Sequence, residues 1–559
     1  MANLDDRPPF AGWGRPLPTL PRSAWEYLHD LLGAGHTSTA SDPAHIAVPA
    51  TRITDDQLAE LQSSGVHIDA TDEVRLRHVG GMAYRDLLAQ RSGTTLLFPD
   101  AVAFPRTHDQ VQALIDTCAQ SNIAVVPFGG GTSVVGGLRV QVDDHVGVMA
   151  ISTAQMQRVL DLDADAHLVR VQAGIRGPAL EAQLAEHGLT LGHFPQSWER
   201  ASVGGYAATR SSGQASTGYG RFSAMVHGLR LATPVGSWEL GRAPASAAGP
   251  GMLDLALGSE GALGVITELT LRVRGLPAAR HYEAALAPTF QSGIDAFRAL
   301  AQAGVSATVM RLSDHQETVA SLAMAGHDDA GLSTRVRHTL QTRVLRSRGF
   351  DPPTQRGALI ILGWEAATTP LLRARRRAAW RLLHQHGVRG LGRSGGRSWE
   401  RGRFAGPAVR DLLMDHGYLV ETLESASTWS RVMALHVAVR DAITGALASD
   451  GCASFVMVHI SHVYETGASL YWTVLAQAPA DPDLAAAVWW RAKCAAMDAI
   501  VAEQGTITHH HAVGRDHAPW LADEVGDVGI AVLNAIRQAV DPPGVMNPGV
   551  LLSSRFSTG

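Results

Sequence analysis

Residues 127–137 read PFGGGTSVVGG and directly follow the apolar run IAVV at 123–126. Three consecutive glycines after a strand, followed by two hydroxyl residues, leave backbone N–H groups free to converge. Such an array of amides binds a diphosphate, and glycine is needed because a Cβ would block close approach or forbid a positive φ. On its own, the loop fits either a phosphate-binding loop or a glycine-rich turn.

The sequence around this loop alternates strand and helix patterns. Strands are predicted at 98–105, 123–126, 146–151, 168–171, 229–232 and 265–273, and helices at 24–32, 54–63, 75–91, 108–121 and 177–187. Between Gly192 and Gly220 lies a long segment of small residues that resembles neither a packed helix nor a strand. A loop of this length inside a compact domain usually carries a function.

A second pattern begins after Gly275. Strands are predicted there at 283–286, 307–311, 358–364, 455–460 and 469–475, and helices at 293–303, 371–386, 428–449 and 483–504. This alternation predicts an antiparallel sheet with helices on one face. The arginine-dense stretch from Arg373 to Arg403 lies partly on one of these helices. It fits a solvated helical face or a surface that anchors to acidic lipid headgroups.

Composition narrows the class of protein. A chain of 559 residues is too long for one hydrophobic core, and its 45% apolar and 18% charged residues are typical of a folded protein. The net charge of −5 argues against a nucleic-acid-binding protein. Three widely spaced cysteines without CxxC pairing suggest neither zinc nor disulfides. With no apolar N-terminal segment and no run of 18 apolar residues, we expect no signal peptide, no membrane span and a cytoplasmic location.

Two further small-residue segments accompany the glycine loop. They are Gln196–Ser212 and Gly258–Gly264, and each would place backbone amides and hydroxyls near an extended, polyanionic ligand. The GxGxxG fingerprint of a Rossmann unit is missing after the first strand, which disfavours a nicotinamide cofactor bound in the usual way. One such segment could be a turn, but three at this spacing point to a cofactor site.

These segments resemble the flavoproteins of the vanillyl-alcohol oxidase type. The likeness extends to VQAGI at 171–175, to Gly204-Gly205, to GSEGALGVIT at 258–267 and to MNPG at 546–549. Within that superfamily the chain is similar to the alkylglycerone-phosphate synthases. Motifs that carry this narrower likeness are GWG at 12–14, RLRH at 75–78, GHFPQSWE at 192–199, MRLSD at 310–314, VRDL at 409–412, GASLY at 467–471 and THHHAVG at 508–514.

The resemblance implies an α+β fold. It consists of a two-part PCMH-type FAD-binding domain and an antiparallel-sheet cap domain for the substrate, with helical N-terminal and C-terminal segments. The predicted boundaries are 1–95 for the N-terminal region, 96–277 for the FAD domain, 278–504 for the cap and 505–559 for a C-terminal segment that returns to the FAD domain with the histidines.

The cofactor implied is FAD, with its diphosphate on the first loop. The predicted FAD-binding residues are Pro127, Phe128, Gly129, Gly130, Gly131, Thr132, Ser133, Gln196, Ser197, Trp198, Glu199, Arg200, Ala201, Ser202, Thr209, Arg210, Ser211, Ser212, Gly258, Ser259, Glu260, Gly261, Ala262, Leu263 and Gly264. Gln196 stands where the synthases typically have Asp, so one ligand contact is expected to differ. No histidine or cysteine is placed to attach the flavin, and noncovalent FAD is expected.

Candidate catalytic residues lie far from the glycine loop. His509, His510 and His511 follow Ile507-Thr508, where a strand is expected to end. On an extended chain, neighbouring side chains point to opposite faces, and no Asp, Glu or Cys partner is identifiable, so no metal is predicted. Imidazoles suit proton transfer or oxyanion binding near neutral pH, although a polar turn would use them equally.

The resemblance assigns roles to these and other residues. The three histidines match the synthases' active-site histidines, and Tyr471 matches the general acid/base. Arg311 and Arg410 match two active-site arginines, one beside the flavin and one on the substrate phosphate, which suits a guanidinium fork. His193, beside the second FAD segment, is a weaker candidate. From the residues alone, Tyr471 could equally be a core residue and the arginines surface ion-pair partners.

The function implied is that of an alkylglycerone-phosphate synthase. Such an enzyme would exchange the acyl group of an acyl-dihydroxyacetone phosphate for a fatty alcohol, through a flavin N5 adduct and without net oxidation. The alternative is an FAD-dependent oxidase or dehydrogenase of a 2-hydroxy acid or another alcohol, because one fold hosts both chemistries. A flavin-binding protein with a degenerate site is a third interpretation.

The resemblance implies a small-molecule or lipid phosphate substrate and suggests a homodimer. The net charge argues against a nucleic-acid partner, and the arginine-dense stretch leaves peripheral membrane contact as an alternative. No peroxisomal targeting segment like that of the eukaryotic synthases is recognisable at the N-terminus.

Overall fold

The computed structural model describes residues 9–552 except Thr39, 325–346, 348, 353 and 355. Within these residues the longer helices are Arg22–Leu32, Asp55–Gln62, Asp72–Arg77, Tyr84–Ser92, His108–Gln120, Gly177–Glu186, Val203–Ala208, Phe290–Gln302, His315–Met324, Thr369–Gln385, Arg393–Gly402, Gly406–Asp415, Val432–Ser449, Pro482–Ala502 and Leu521–Val540. Shorter helical turns are Pro43–His45, Thr153–Gln155, Ser216–Tyr219, Phe222–Met225, Met252–Ala256 and Ala518–Trp520.

The glycine loop ends the edge strand of a small, mostly parallel sheet. In spatial order its strands are His67–Asp69, Ala101–Phe104, Gly147–Ser152 and Ile123–Phe128, the first of them antiparallel. The helix His108–Gln120 connects two of these strands, and Thr107 caps its first turn by accepting a hydrogen bond from the Gln110 amide. Its apolar side chains at 111, 114, 115 and 118 repeat with helical spacing and pack on the sheet.

A second sheet of the FAD region is antiparallel. Its strands, in spatial order, are Val159–Asp163, Leu168–Gln172, Val265–Arg272, Val226–Thr233 and Gly236–Leu240. Leu189–Thr190 and Arg274–Gly275 form a separate short pair. The predicted loop 192–220 contains two short helices, at Val203–Ala208 and Ser216–Tyr219, because its small residues allow close helix packing.

The cap is built on an antiparallel sheet whose seven strands lie among the described residues. In spatial order they are Arg389–Gly392, Ala279–Ala287, Ala358–Ala366, Val309–Ser313, Ser454–Val463, Gly467–Gln477 and Tyr418–Thr428. Its core also contains Ala24, Leu28 and Leu32 of the N-terminal helix, so that helix packs with the cap. The α+β fold with an antiparallel sheet is as predicted.

Two of the predicted helices were wrong. The helix expected at 75–91 is two helices, because the chain turns at Gly80 with a φ of +62°. The helix expected from 428 begins at Val432, and the preceding residues form the edge strand Tyr418–Thr428, which was not predicted. Tertiary pairing with Gly467–Gln477 creates this strand, and a local pattern does not reveal it.

In the described part of the chain, Val432–Ser449 is the helix with the length and mean hydropathy (1.2) of a membrane span. Its side chains Val432, Leu435, Val439 and Ile443 are buried in the cap core. Core packing therefore accounts for the apolar stripe that these side chains form.

Residues 545–547 return to the glycine loop. The amide of Val125 donates to the carbonyl of Val545, and the amide of Asn547 donates back to Val125, both over 2.8 Å. The buried Asn547 side chain donates to the carbonyls of Gly137 and Glu260, over 3.0 and 2.7 Å. One side chain thus links two of the predicted FAD segments.

Candidate active site

A large cavity lies between the glycine loop and the cap sheet. Its volume is about 2060 Å³, several times that of an ordinary ligand pocket of roughly 300–1,000 Å³. The wall includes all seven residues Pro127–Ser133 from the FAD region and Arg311, Arg410, Tyr471, His510 and His511 from the predicted catalytic set. The structure therefore brings residues more than three hundred positions apart to one space.

The glycine loop offers unused hydrogen-bond donors to this cavity. Within the described part of the chain, the backbone N–H groups of Gly129, Gly130, Gly131 and Thr132 donate to no protein acceptor. A Cβ added at Gly130 would overlap the carbonyl oxygen of Arg200, so this close approach requires glycine. Open amides facing a cavity are what a diphosphate needs.

Other predicted FAD residues divide into two groups. On the cavity wall are Gln196, Ser197, Ala201, Ser202, Thr209, Ser211, Ser212, Glu260, Gly261 and Gly264. Off the wall are Trp198, Glu199, Arg200, Arg210, Gly258, Ser259, Ala262 and Leu263. Some of these support the wall: Arg200 donates to the carbonyl of Trp13, and Glu199 pairs with Arg15. The buried hydroxyl of Ser212 has no partner among the described residues and is free to bind a ligand.

Three strands of the cap place a row of functional side chains side by side. Tyr471 is paired in register with Glu424 on one neighbouring strand and with His459 on the other. The rings of Tyr471 and His459 stack with centroids 4.8 Å apart. Burial raises the pKa of Tyr471, so its phenol keeps its proton near neutral pH.

Arg311 is held by an internal acid. It pairs with Glu317, and its Nη1 lies 3.0 Å from Nε2 of His459. Burial would raise the pKa of Glu317, but the Arg311 charge and His459 lower it to about 2. The guanidinium charge at this wall is therefore already balanced by the protein.

Arg410 differs from Arg311 because part of it is unpartnered. Its Nε donates to the carbonyl of Val420 over 3.2 Å and its Nη1 to that of Met82 over 2.8 Å. Its buried Nη2 has no acceptor among the described residues. A buried cationic donor on a cavity wall is suited to an anionic group of a ligand.

The three histidines form a loop wrapped around the carboxylate of Glu424. The backbone amides of His509, His510 and His511 donate to this carboxylate over 2.9, 2.6 and 2.7 Å. The Thr508 hydroxyl adds a fourth hydrogen bond of 3.0 Å. The Glu424 side chain is 0% exposed, so these donors replace water around a fully buried charge.

The electrostatics of this loop keep most of its imidazoles neutral. Burial lowers the pKa of His509 and of His511 to about 3, in spite of the nearby Glu424 charge. Burial would raise the pKa of Glu424, but His510, His511 and His509 hold it well below its usual range. The carboxylate is therefore charged while its neighbouring buried rings are not.

His462, His509 and His510 bring ring nitrogens within 4.8 Å of one another. An extended chain was expected at these residues, and that expectation was wrong because residues 505–516 form turns rather than a strand. The acid that lies beside these rings is Glu424. His509 uses its Nδ1 on His510 and its Nε2 on Tyr464, and the absence of a metal stays a prediction.

His193 lies outside the cavity wall. Its Nε2 is 2.8 Å from the Ser211 hydroxyl, and burial lowers its pKa to about 3. It is placed to orient a residue of the second FAD segment rather than to contact a substrate.

Sequence reasoning missed five residues of the site: Glu317, Glu424, His459, His462 and Tyr464. Glu424 gave one usable signal, since VETLES at 420–425 places an acid in an apolar strand pattern. His459 and His462 reach the site through strand register, Glu317 lies on the helix His315–Met324, and Tyr464 follows the strand Ser454–Val463; one sequence does not reveal these tertiary contacts.

Comparisons with known proteins agree with this site. A family model described as an FAD binding domain matches residues 99–240, and one described as the C-terminal domain of FAD linked oxidases matches residues 276–551. The chain is 30% identical over 502 residues to the alkyldihydroxyacetonephosphate synthase of Trypanosoma brucei brucei, covering 89% of this chain and 80% of the relative. It is 31% identical over 479 residues to the synthase of the same name from Dictyostelium discoideum, covering 86% and 77%.

A solved structure of an alkyldihydroxyacetonephosphate synthase superposes with a TM-score of 0.83 at 26% identity, covering 98% of this chain and 99% of that one. The similarity thus spans the FAD region, the cap and the histidine loop together.

Proposed function

Because the chain belongs to the alkyldihydroxyacetonephosphate synthase family, we propose that it is an FAD-dependent enzyme that exchanges the acyl group of an acyl-dihydroxyacetone phosphate for a fatty alcohol. The observation that carries this proposal is the cavity, which joins the open amides of the glycine loop to Arg410, Tyr471 and the histidine loop. FAD is the cofactor of the FAD region.

Residues of the glycine loop and of the second FAD segment would hold FAD. The free amides of Gly129–Thr132 suit its diphosphate, and the unpartnered Ser212 hydroxyl suits another polar atom of the cofactor. When bound, FAD supplies an electron-deficient ring that can stabilise negative charge developing on the substrate carbon.

Arg410 is the residue proposed to bind the substrate phosphate. Its unpartnered Nη2 is a buried charged donor on the cavity wall. Arg311 is less suited to this role, because Glu317 and His459 already use its guanidinium. Two fixed hydrogen bonds to backbone carbonyls hold Arg410 in place for a charged ligand.

His510 and Tyr471 are proposed as the proton-transfer pair. The Nδ1 of His510 faces Glu424 and His509, whereas its Nε2 has no partner among the described residues and so is free to take a proton. Tyr471 keeps its own proton, because burial raises the pKa of its phenol. Tyr471 is therefore suited to donate and His510 to accept.

The cavity also has an apolar section for a lipid chain. Leu20, Ala24 and Leu28 of the N-terminal segment line it, together with Phe455 and Met457 of the cap sheet. An apolar wall continuous with the charged site fits a substrate that combines a phosphate with a long alkyl group.

The test uses purified enzyme loaded with FAD. Supplied with acyl-dihydroxyacetone phosphate and a fatty alcohol, it should release carboxylate without consuming oxygen. Tyr471→Phe should abolish release while FAD stays bound. Hydrogen peroxide formed from a hydroxy acid, with no response to the phosphate ester, would refute the proposal in favour of an oxidase.

We further propose that the enzyme contacts membranes through an arginine surface. Eight exposed arginines lie on or near the helices Thr369–Gln385 and Arg393–Gly402: Arg373, Arg375, Arg377, Arg381, Arg389, Arg393, Arg397 and Arg401. None of the eight forms an ion pair with a described residue. Arg401 also lines the cavity, so this surface adjoins the site. Anionic headgroups are its complement.

Cosedimentation with vesicles tests the surface. Binding to phosphatidylglycerol vesicles but not to phosphatidylcholine vesicles is expected, with loss in the triple variant Arg373→Ser, Arg377→Ser and Arg381→Ser. The matched control changes three other exposed arginines, Arg85, Arg242 and Arg356, to serine. Equal loss in both triple variants would contradict a specific surface. A homodimer and a cytoplasmic location stay predictions.

A further inference from the structure

A chain of hydrogen-bonded side chains leads away from the cavity. His510 lies on the cavity wall, and its Nδ1 is 3.0 Å from Nδ1 of His509. The other ring nitrogen of His509, Nε2, is 2.6 Å from the hydroxyl of Tyr464. His509 is buried and Tyr464 is partly exposed, and neither lines the cavity. The three side chains thus lead from the cavity wall to a partly exposed residue.

We propose that His510, His509 and Tyr464 form a proton relay that carries one proton per turnover from the cavity to solvent. This inference rests on the proposed function, which requires such a path for the following reason.

Acyl-for-alkyl exchange releases one proton in each cycle. The ester C–O bond to the substrate carbon breaks, and the carboxylate leaves with the electron pair. The alcohol oxygen forms a new bond to the same carbon and loses its hydrogen. A carboxyl group with an ordinary pKa of about 4 is ionised at neutral pH, so the alcohol proton is not carried away by the product. Nothing is oxidised or reduced overall.

The two histidines have the connectivity that a relay requires. A neutral imidazole can accept a proton on one nitrogen and release the proton of the other, so its two nitrogens must face different partners. His509 meets this condition with His510 on one side and Tyr464 on the other. His510 meets it with His509 on one side and, through its free Nε2, the cavity on the other.

Charged groups around the relay set its direction. The carboxylate of Glu424 lies 3.1 Å from Nδ1 of His510 and 3.5 Å from Nδ1 of His509, and so stabilises a proton passing between them. Arg221 donates to the backbone carbonyl of His509 over 2.7 Å, and its positive charge, with burial, opposes lasting protonation of that ring. A proton is therefore attracted to the pair but not retained on His509.

Tyr464 is suited to be the outer member. Burial raises its pKa to about 12, so it is a neutral phenol that accepts one proton while releasing another. Neighbouring groups do not offer the same path. His462 stacks on His509 at 5.1 Å, but its Nδ1 has no partner among the described residues. Tyr471 lines the cavity itself and so offers no path out of it.

Tyr464→Phe breaks the outer link without changing the cavity wall. With FAD-loaded enzyme, acyl-dihydroxyacetone phosphate and a fatty alcohol, we expect kcat for carboxylate release to fall about tenfold, less than the loss of a primary acid or base. The KM of the phosphate ester should stay unchanged. The solvent deuterium isotope effect on kcat should rise, and added imidazole buffer should restore the rate. Loss of a merely structural hydroxyl would not be rescued by imidazole.

The matched control is Tyr418→Phe. Tyr418 is the first residue of the edge strand Tyr418–Thr428, and its hydroxyl donates to the carbonyl of Gly33. The control variant should show neither the larger isotope effect nor the buffer rescue. If Tyr464→Phe loses FAD, His509→Asn replaces it, since the amide can still bond His510 but cannot reach Tyr464. The same rate loss and rescue are expected.

The outcomes separate the two proposals. Wild-type enzyme that releases no carboxylate overturns the synthase function and the relay with it. Active wild-type enzyme with a Tyr464→Phe variant of equal kcat and isotope effect overturns the relay alone. A slowed variant that imidazole buffer does not restore also overturns it.

Discussion

The glycine loop and the histidine loop both gather backbone N–H groups, but they use them in opposite ways. The amides of Gly129–Thr132 point at no protein acceptor and are left for a cofactor. Those of His509–His511 converge on Glu424, an acid that the protein supplies itself. The first loop is a site for an external anion, whereas the second uses an internal anion to shape a surface of imidazoles.

This difference explains what each loop can tolerate. The glycine loop depends on the absence of side chains, because its neighbour Arg200 leaves no space for a Cβ. The histidine loop depends on one charge, because a buried carboxylate organises three amides and orients the rings between them. Substitutions in the glycine loop should therefore weaken FAD binding, whereas substitutions at Glu424 should lower kcat.

The largest effect is expected from Gly130→Ala. The new Cβ would overlap the carbonyl oxygen of Arg200, so one of the two FAD segments must move. We expect FAD binding to weaken by at least about 100-fold, equivalent to nearly 3 kcal/mol, measured by flavin fluorescence titration. Gly275→Ala is the control, since a Cβ there meets nothing within 4 Å. Normal FAD content in Gly130→Ala would show that the loop is only a turn.

Glu424→Gln should have a smaller effect and a different one. The amide keeps the size of the side chain but removes its charge, so the loop loses an ionic acceptor and the rings lose their orientation. We expect kcat to fall by about 10- to 100-fold, as for other groups that orient a reactive side chain, with FAD content and the KM of the phosphate ester unchanged.

The matched control is Glu421→Gln, three residues earlier on the same strand. Glu421 is buried and bonds Trp489, without contacting the histidines. The Glu421→Gln variant should keep the kcat of the wild type. Equal losses in the two variants, or a loss of FAD in Glu424→Gln, would remove the distinction between the loops.

The smallest effect is expected at Glu260, which lies between the glycine loop and the histidine loop. Its carboxylate accepts the amides of Val513 and Gly514, beyond the histidines, and it belongs to the third FAD segment. Burial raises its pKa from 4.5 to about 7, so the folded state binds a proton that the unfolded state has already lost between these pH values. The stabilisation that Glu260 contributes to the folded state is therefore fully present below pH 4.5 and is lost as the pH rises through 7.

We expect the free energy of unfolding of the wild type to fall by about 2 kcal/mol between pH 5 and pH 7, relative to Glu260→Gln. Urea denaturation of the FAD-loaded protein at several pH values measures this difference. Glu239→Gln, at an exposed strand position, should run parallel to the wild type. Parallel curves for Glu260→Gln and the wild type would mean that Glu260 is charged throughout.

The sequence predicts the two loops unequally, and the reason is physical. Gly129–Gly131 predict an open backbone directly from the sequence, because only glycine lacks a Cβ. Resemblance then extends the prediction to FAD, the α+β fold and the synthase family, all of which the comparisons confirm.

Glu424 could not be predicted in the same way. Its role depends on amides 85 to 87 positions later and on an edge strand that forms only by pairing with Gly467–Gln477. Likewise, the distinction between Arg311 and Arg410 depends on which guanidinium finds an internal acid. Such contacts are set by strand register and burial, which the local pattern of one chain does not contain.

Asn547 completes the glycine-loop region late in synthesis, because it binds segments that are made long before it. Its side chain joins the carbonyls of Gly137 and Glu260, and the backbone on either side of it extends the strand that carries the glycine loop. During synthesis the loop leaves the ribosome more than four hundred residues before Asn547 does. The diphosphate-binding loop can therefore gain these two hydrogen bonds, and hold the flavin securely, only after more than four hundred further residues have been synthesised.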